Sequence, residues 1–285
     1  MIYDDLVIIP EQLNYGELKM PELPEIENYK ILLNQKVDGK TITGVLVNRE
    51  KSTNVSTNQF INIVQNQEIE SIDKRAKHIF FHLKNSHVLL LHLMLGGWMF
   101  YGTEDEKSDR TVQIQLSFGD QNLYFIGLRL GYLHLFSRDE AKQELADLGS
   151  EPLDANFSLD SFLELIEDRR GKLKTSLVNQ ELLSGVGNRY SDEIAWYAKL
   201  LPERNMNELN DSEKVQLYKS ICFIQYNTQL GKDRHANIVD DGYITETQFN
   251  QLINTPQLKD IPFILETPKN EGITHKEEIQ QLQEK

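Results

Sequence analysis

The periodicity of this chain changes once, and that change limits what it can fold into. Between residues 42 and 136 the apolar residues come in short runs: "TITGVLVN", "HIFFHL", "HVLLLHLM", "TVQIQLSF", "NLYFI" and "YLHLF". They are rich in β-branched and aromatic residues and are separated by Asn, Gly, Asp and Lys, which predicts strands of an antiparallel sandwich or barrel. From Asp139 the spacing becomes helical, over about 139–146, 159–167, 171–178, 189–199 and 211–229. Ser137 and Asn210-Asp211-Ser212 stand where helix caps belong. Strands first and helices second predict an α+β chain of two domains with a cleft between them, divided near residues 137–155. No internal repeat is present. Beyond Gly231 the signal weakens: "ITETQFNQLIN" is a candidate helix, and the polar tail after Pro268 is expected to fray.

Ahead of the strands stands "KMPELPEIENYKILL", Lys19 to Leu33. Ile26, Tyr29, Ile31, Leu32 and Leu33 roughly keep helical spacing, predicting a helix from about Pro24 to Gln35. Proline is tolerated in a first helical turn, and Glu25 and Glu27 suit its positive end.

Composition excludes several classes. No apolar run approaches the roughly 20 residues of a membrane helix, and no basic region followed by an apolar stretch opens the chain, so the expected compartment is the cytoplasm. The single cysteine, Cys222, rules out an intramolecular disulfide framework and any multi-cysteine zinc site; it reads as helix core. No metal or cofactor is expected. The formal charge of −14 opposes nonspecific nucleic-acid binding. Residues 169–204 depart from it: seven Lys and Arg, among them Lys174 and Arg189, face four acids. Within this stretch Gly185 and Gly187 flank a tight turn and Asn188 is placed to cap the next helix. Free amides at that helix start, with Arg189 beside them, would suit a phosphate, although a plain helix–turn–helix corner has the same pattern. Lys74, Arg75 and Lys77 in "DKRAKHIFFHL" read as a solvated strand edge, and His92 in "LLLHLMLGGW" as a hydrogen-bonded core residue.

The order of these pieces is more specific than any one of them. "MPELPEIE", "KRAKHIFFHL", "HLMLGGW" and "NQELLSGVGNRYSDEIAWYAKLLPER" together resemble the formamidopyrimidine-DNA glycosylase (Fpg/Nei) family over roughly Met20 to Gly231. The resemblance implies a β-sandwich with a leading helix and a helix–two-turns–helix domain that clamp damaged double-stranded DNA, with a base flipped out for excision. It implies that Pro21, freed at the N-terminus, attacks C1′ of the damaged nucleotide. Glu22 would be the general acid at the sugar, Glu25 a supporting carboxylate and Lys77 the catalytic lysine. Asn188 would grip backbone phosphate, with Lys174, His92 and Arg189 as further contacts. The chemistry is coherent: an α-amino group titrates near about 7.7–8.0, far below lysine, and a secondary amine forms a cationic iminium.

Three departures from the family pattern follow. Pro21 is preceded by residues 1–19, and an amide nitrogen cannot attack; either the start is mis-assigned, or the extension is cleaved, or the enzyme is inactive, and the first is favoured, since "GELKM" can be encoded with a purine-rich ribosome-binding stretch before Met20. The family's terminal four-cysteine zinc finger is missing: residues 238–285 hold no Cys and no Arg, and four lysines there face nine acids, which puts the second elimination in doubt. The family's wedge residues Met, Arg and Phe align with Leu95, Leu128 and Leu130, with Arg129 retained. Leucine can part a base step but cannot hydrogen-bond the orphaned base.

The expected layout is thus an extension (1–19), a β-sandwich catalytic domain (20–137), a helical DNA-binding domain (138–232) and a tail without a zinc finger (233–285). The leading expectation is a monomeric DNA glycosylase with abasic-site lyase activity. A non-catalytic binder of damaged DNA and a protein-interaction paralogue are the alternatives; Pro21, Glu22 and Lys77 together favour catalysis, and the basic segment 169–204 favours DNA.

Overall fold

The structure, a computed structural model, describes residues 20–229. The extension, the candidate helix at "ITETQFNQLIN" and the tail lie outside the described residues.

Helix α1 (Leu23–Val37) starts where Pro24 is harmless. Glu25 reaches back to accept from the backbone N–H of Glu22 at 3.1 Å. The helix buries Leu23, Ile26, Leu33 and Val37. It packs both on the second sheet described below and on the last helix of the described chain.

Eight antiparallel strands follow: β1 (Gly44–Val47), β2 (Ile69–Arg75), β3 (His78–Leu83), β4 (His87–His92), β5 (Trp98–Gly102), β6 (Val112–Phe118), β7 (Gln121–Ile126) and β8 (Tyr132–Ser137). They form two four-stranded sheets, ordered β1-β6-β7-β5 and β2-β3-β4-β8. Alternation makes the sandwich: Ile79, Phe81 and Leu83 of β3 join Leu89 and Leu91 of β4, Leu133 and Leu135 of β8, and Ile114, Leu116, Leu123 and Phe125 of the other sheet in one core. Phe81 and Phe125 meet edge to face across the sheets, centroids 6.2 Å apart, an arrangement worth about 1 kcal/mol beyond its area. The alternate residues of the second sheet form a register row, His78 opposite His92 and His92 opposite Tyr132.

Three elements inside the sandwich region escaped the sequence reading. Helix α2 (Thr57–Val64) is only two turns long and buries just Phe60 and Val64, too little to establish a period. β5 follows directly on the "LGG" turn. β2 ends in the "DKR" expected to precede a strand, and its charges conceal it.

The helices run close to expectation: α3 (Arg138–Glu144), α4 (Leu159–Ile166), α5 (Leu173–Leu177), α6 (Asn188–Ala198) and α7 (Asp211–Gln229). Ser137 caps α3, accepting from Glu140 N–H at 3.3 Å while Glu140 accepts from Ser137 N–H at 2.8 Å. Asn210 and Glu213 make the same reciprocal pair at α7. Phe162, Leu173, Leu177, Val186, Tyr190, Ile194, Leu217 and Ile221 belong to a second core, separate from the first. Among the described residues no helix is long and apolar enough to cross a membrane.

Candidate active site

Glu22 is the centre of the site. It precedes α1, yet its carboxylate turns to the start of α6. Its oxygens accept from the backbone N–H groups of Gly187 (2.7 Å), Arg189 (3.0 Å) and Tyr190 (3.3 Å). A buried carboxylate therefore supplies the cap of α6, at the positive end of its dipole. This corrects two expectations. Gly187, not Asn188, is the capping position of α6, and Asn188 is exposed in its first turn. The amides expected to await a phosphate are already taken by Glu22.

Two glycines let the segment seat. A Cβ on Gly187 would lie 2.4 Å from Glu22 Cδ and 2.7 Å from Lys77 Nζ, so only glycine leaves room for both side chains to approach that point. Gly185 has φ +93°, lies against the Leu23 side chain, and accepts from Leu23 N–H at 3.1 Å.

Lys77 arrives from the other side of the sequence. It occupies the two-residue turn between β2 and β3 and is buried. Burial lowers its pKa below the usual lysine range, opposed by the charges of Glu22 and Glu25. Burial pushes the Glu22 carboxyl up, while Lys77 and the three amides pull it down. Glu22 is thus raised and Lys77 lowered, so their pKa values lie closer together than those of free side chains. Glu25 accepts from the Tyr190 hydroxyl as well as from Glu22 N–H, and lies 3.5 Å from Arg189 Nη1. Pro21 is half-buried directly ahead of Glu22.

The expected DNA contacts divide. Arg189 is exposed and lies over the Tyr190 ring, its guanidinium 5.2 Å from the centroid. Lys174 is held by both oxygens of Asp192, at 2.6 and 2.7 Å. His92 ends β4 with its ring centroid 4.2 Å from that of His78, and its Nε2 is buried with no hydrogen-bond partner. Burial, helped by nearby Lys77, brings its pKa to about 4, so it is neutral at physiological pH. The reading of His92 as a hydrogen-bonded core residue is corrected accordingly.

The three leucines do not act alike. Leu95 and Leu130 are exposed on two turns that touch: a Cβ on Gly127 would fall 2.0 Å from Gly96 O. Arg129 is exposed between them in sequence. Leu128 is fully buried in the sandwich core and is not presented as a wedge, because its turn points it inward while its backbone binds Gln113, Arg49 and Ser52.

Lys74 is not at a solvated edge either. Its ammonium is buried between Glu151 and Glu27, 3.3 Å from the latter. Sequence reading passed over Glu27, Glu151 and Tyr190: the first two look like surface acids, and no local pattern signals their burial.

Two family profiles cover this region. The formamidopyrimidine-DNA glycosylase N-terminal domain matches residues 20–132, and the formamidopyrimidine-DNA glycosylase H2TH domain matches residues 148–232. The chain is 35% identical over 207 residues to the formamidopyrimidine-DNA glycosylase of Listeria monocytogenes, covering 70% of this chain and 75% of the relative.

The chain belongs to the formamidopyrimidine-DNA glycosylase family. The glycosylase of Herpetosiphon aurantiacus is 32% identical over 213 residues, 73% of this chain and 78% of its own. Among solved structures, the Lactococcus lactis glycosylase in complex with DNA containing N7-benzyl-Fapy-dG superimposes with a TM-score of 0.70 at 27% identity, covering 78% of this chain and 82% of that one. The same protein in complex with abasic-site DNA gives 0.69 at 27% identity, covering 74% and 80%. The family's H2TH profile spans α4 to α7, and the α5–α6 pair with the turns between them lies inside it.

Proposed function

We propose that this chain is a base-excision DNA glycosylase with abasic-site lyase activity, acting as a cytoplasmic monomer on damaged double-stranded DNA through the amine of Pro21. One observation carries the reading: Glu22, adjacent to Pro21, is buried against the start of α6 beside the buried Lys77. Family membership supports the reaction class, and solved relatives are bound to lesion and abasic-site DNA.

In this reading the Pro21 nitrogen lone pair attacks C1′, and the C1′–N bond to the base breaks. The base leaves with the electron pair and takes up a proton. Glu22, its carboxyl held high by burial, protonates O4′ as the sugar ring opens, and nitrogen loses its proton to give an iminium. The iminium acidifies C2′; loss of that proton expels the 3′ phosphate and nicks the strand. Lys77 adds positive charge where the carboxylate and the DNA backbone meet, and Asn188, Arg189, Lys174 and Arg129 supply phosphate contacts. Leu95 and Leu130 stand in for the wedge. The nucleophile must be a free amine, so the acting form begins at Pro21.

A chain made to begin at Pro21 should be trapped on an abasic-site duplex by borohydride. Tight binding of the duplex with no adduct would favour the non-catalytic reading instead.

A further inference from the structure

The hairpin that carries Lys77 has an unusual residue in it. Arg75 pairs with His78, leaving Ala76 and Lys77 as a two-residue loop. Such loops demand positive φ at the first position, which glycine, asparagine or aspartate usually supplies. Here alanine adopts φ +52°, a conformation strained for a side chain with a Cβ. Something outside the hairpin holds it.

That holder is Glu151, buried and far along the chain. One carboxylate oxygen accepts from Ala76 N–H at 2.6 Å; the other pairs with the Lys74 ammonium. Arg75 completes the clasp, donating to the carbonyls of Leu148 (2.9 Å) and Gly149 (2.5 Å). The segment holding Glu151 is itself fastened to the turn ahead of α6. Gly149 N–H donates to Gln180 O at 2.9 Å, Ser150 N–H to Leu182 O at 3.1 Å, and Ser184 N–H to Ser150 O at 2.9 Å. Three residues beyond Ser184 lies Gly187, where Glu22 and Lys77 converge.

We propose that Glu151 is a positioning residue for Lys77: its carboxylate holds the strained Ala76 turn and ties it to the turn that ends at Gly187, so that the Lys77 ammonium is delivered to Glu22. The proposal rests on the catalytic reading above. Glu151 acts through the backbone of Ala76 and through Lys74, and takes no part in bond making.

The test uses a chain beginning at Pro21, an abasic-site duplex and single-turnover trapping. Glu151→Ala should lower the trapping rate at saturating duplex by about ten- to a hundredfold, the usual scale for a misplaced catalytic group, while Kd for the duplex changes less than about threefold. Glu151→Gln keeps an acceptor for Ala76 N–H and should recover part of the rate; if the alanine variant fails to fold, Gln carries the test with an expected loss of about threefold or more. In a double-mutant cycle, Glu151→Ala should add little to Lys77→Ala, because both remove the same placed ammonium. Additive losses, or an unchanged rate in the Glu151 variants of an active parent, would overturn this proposal alone. A parent chain that forms no adduct overturns the catalytic reading and this proposal with it.

Discussion

The carboxylate of Glu22 accepts from the backbone N–H of Gly187 at 2.7 Å, across 165 residues of sequence. This one contact brings the start of α1 to the start of α6 and leaves no room for a side chain at position 187. Gly187→Ala is therefore expected to destabilise the fold by about 1–3 kcal/mol, the range for overpacking a filled site, and to abolish trapping because Glu22 and Lys77 are driven apart. Urea denaturation alongside trapping checks both. Glu22→Gln keeps the volume and should lose base excision more than lyase action on a preformed abasic site, since only the former needs the full first step.

Resonance in the Met20–Pro21 peptide bond removes the nitrogen lone pair. The full 285-residue chain should therefore form no borohydride adduct with an abasic duplex, and the chain starting at Pro21 should form one. Pro21→Gly should keep partial trapping through its primary amine. Equal trapping by the full-length and Pro21-start chains would show that another amine is the nucleophile.

Lys174 is already paired with both carboxylate oxygens of Asp192. Lys174→Ala should weaken duplex binding and lower the slope of log K against log salt by about one. Asp192→Asn should do the opposite, strengthening binding at low salt by releasing the ammonium. His92 is neutral, so His92→Ala should weaken binding with the salt slope unchanged. Fluorescence titrations at several salt concentrations separate these outcomes.

The histidine pair of β3 and β4, His78 buried and His92 half-buried, sets a pH limit. His78 is held near 3, chiefly by burial and then by His92, and His92 near 4. The unfolded rings titrate near about 6.5, so below that pH the unfolded state binds protons that the fold excludes. Stability should therefore fall as pH drops from about 6.5 toward 4, by on the order of 1 kcal/mol per pH unit for each ring. Raised Glu22 works the other way near its own range, so the decisive measurement is a comparison of variants. His92→Phe should flatten the acid limb; a parallel pair of Tm-against-pH curves would refute the assignment.

Leu130 stands in solvent and Leu128 does not. Leu130→Ala should slow excision from duplex DNA while sparing stability. Leu128→Ala should cost about 2–5 kcal/mol of stability as a core truncation. Excision from duplexes that differ only in the base opposite the lesion should vary little, because leucine cannot read that base.

Much of this protein was legible in its sequence for local reasons. The alternation of "HIFFHL" and "HVLLLHLM", the helical spacing after Asp139 and the caps at Ser137 and Asn210 each depend on neighbours a few residues away, and such patterns survive without a structure. So did the order of motifs around Pro21, Glu22 and Lys77. α2 and β5 were missed because they are short, and β2 because its charges hide its period. The burial of Lys74, Glu27 and Glu151, the inward turn of Leu128 and the neutrality of His92 were not legible. Each depends on groups brought together from distant parts of the chain, and nothing in a run of neighbouring residues encodes desolvation. The start of α6 shows the difference most plainly: local sequence places Gly185, Gly187 and Asn188 at a helix start, but only the tertiary structure decides that its amides bind Glu22, because a buried carboxylate finds its partners by packing and not by spacing.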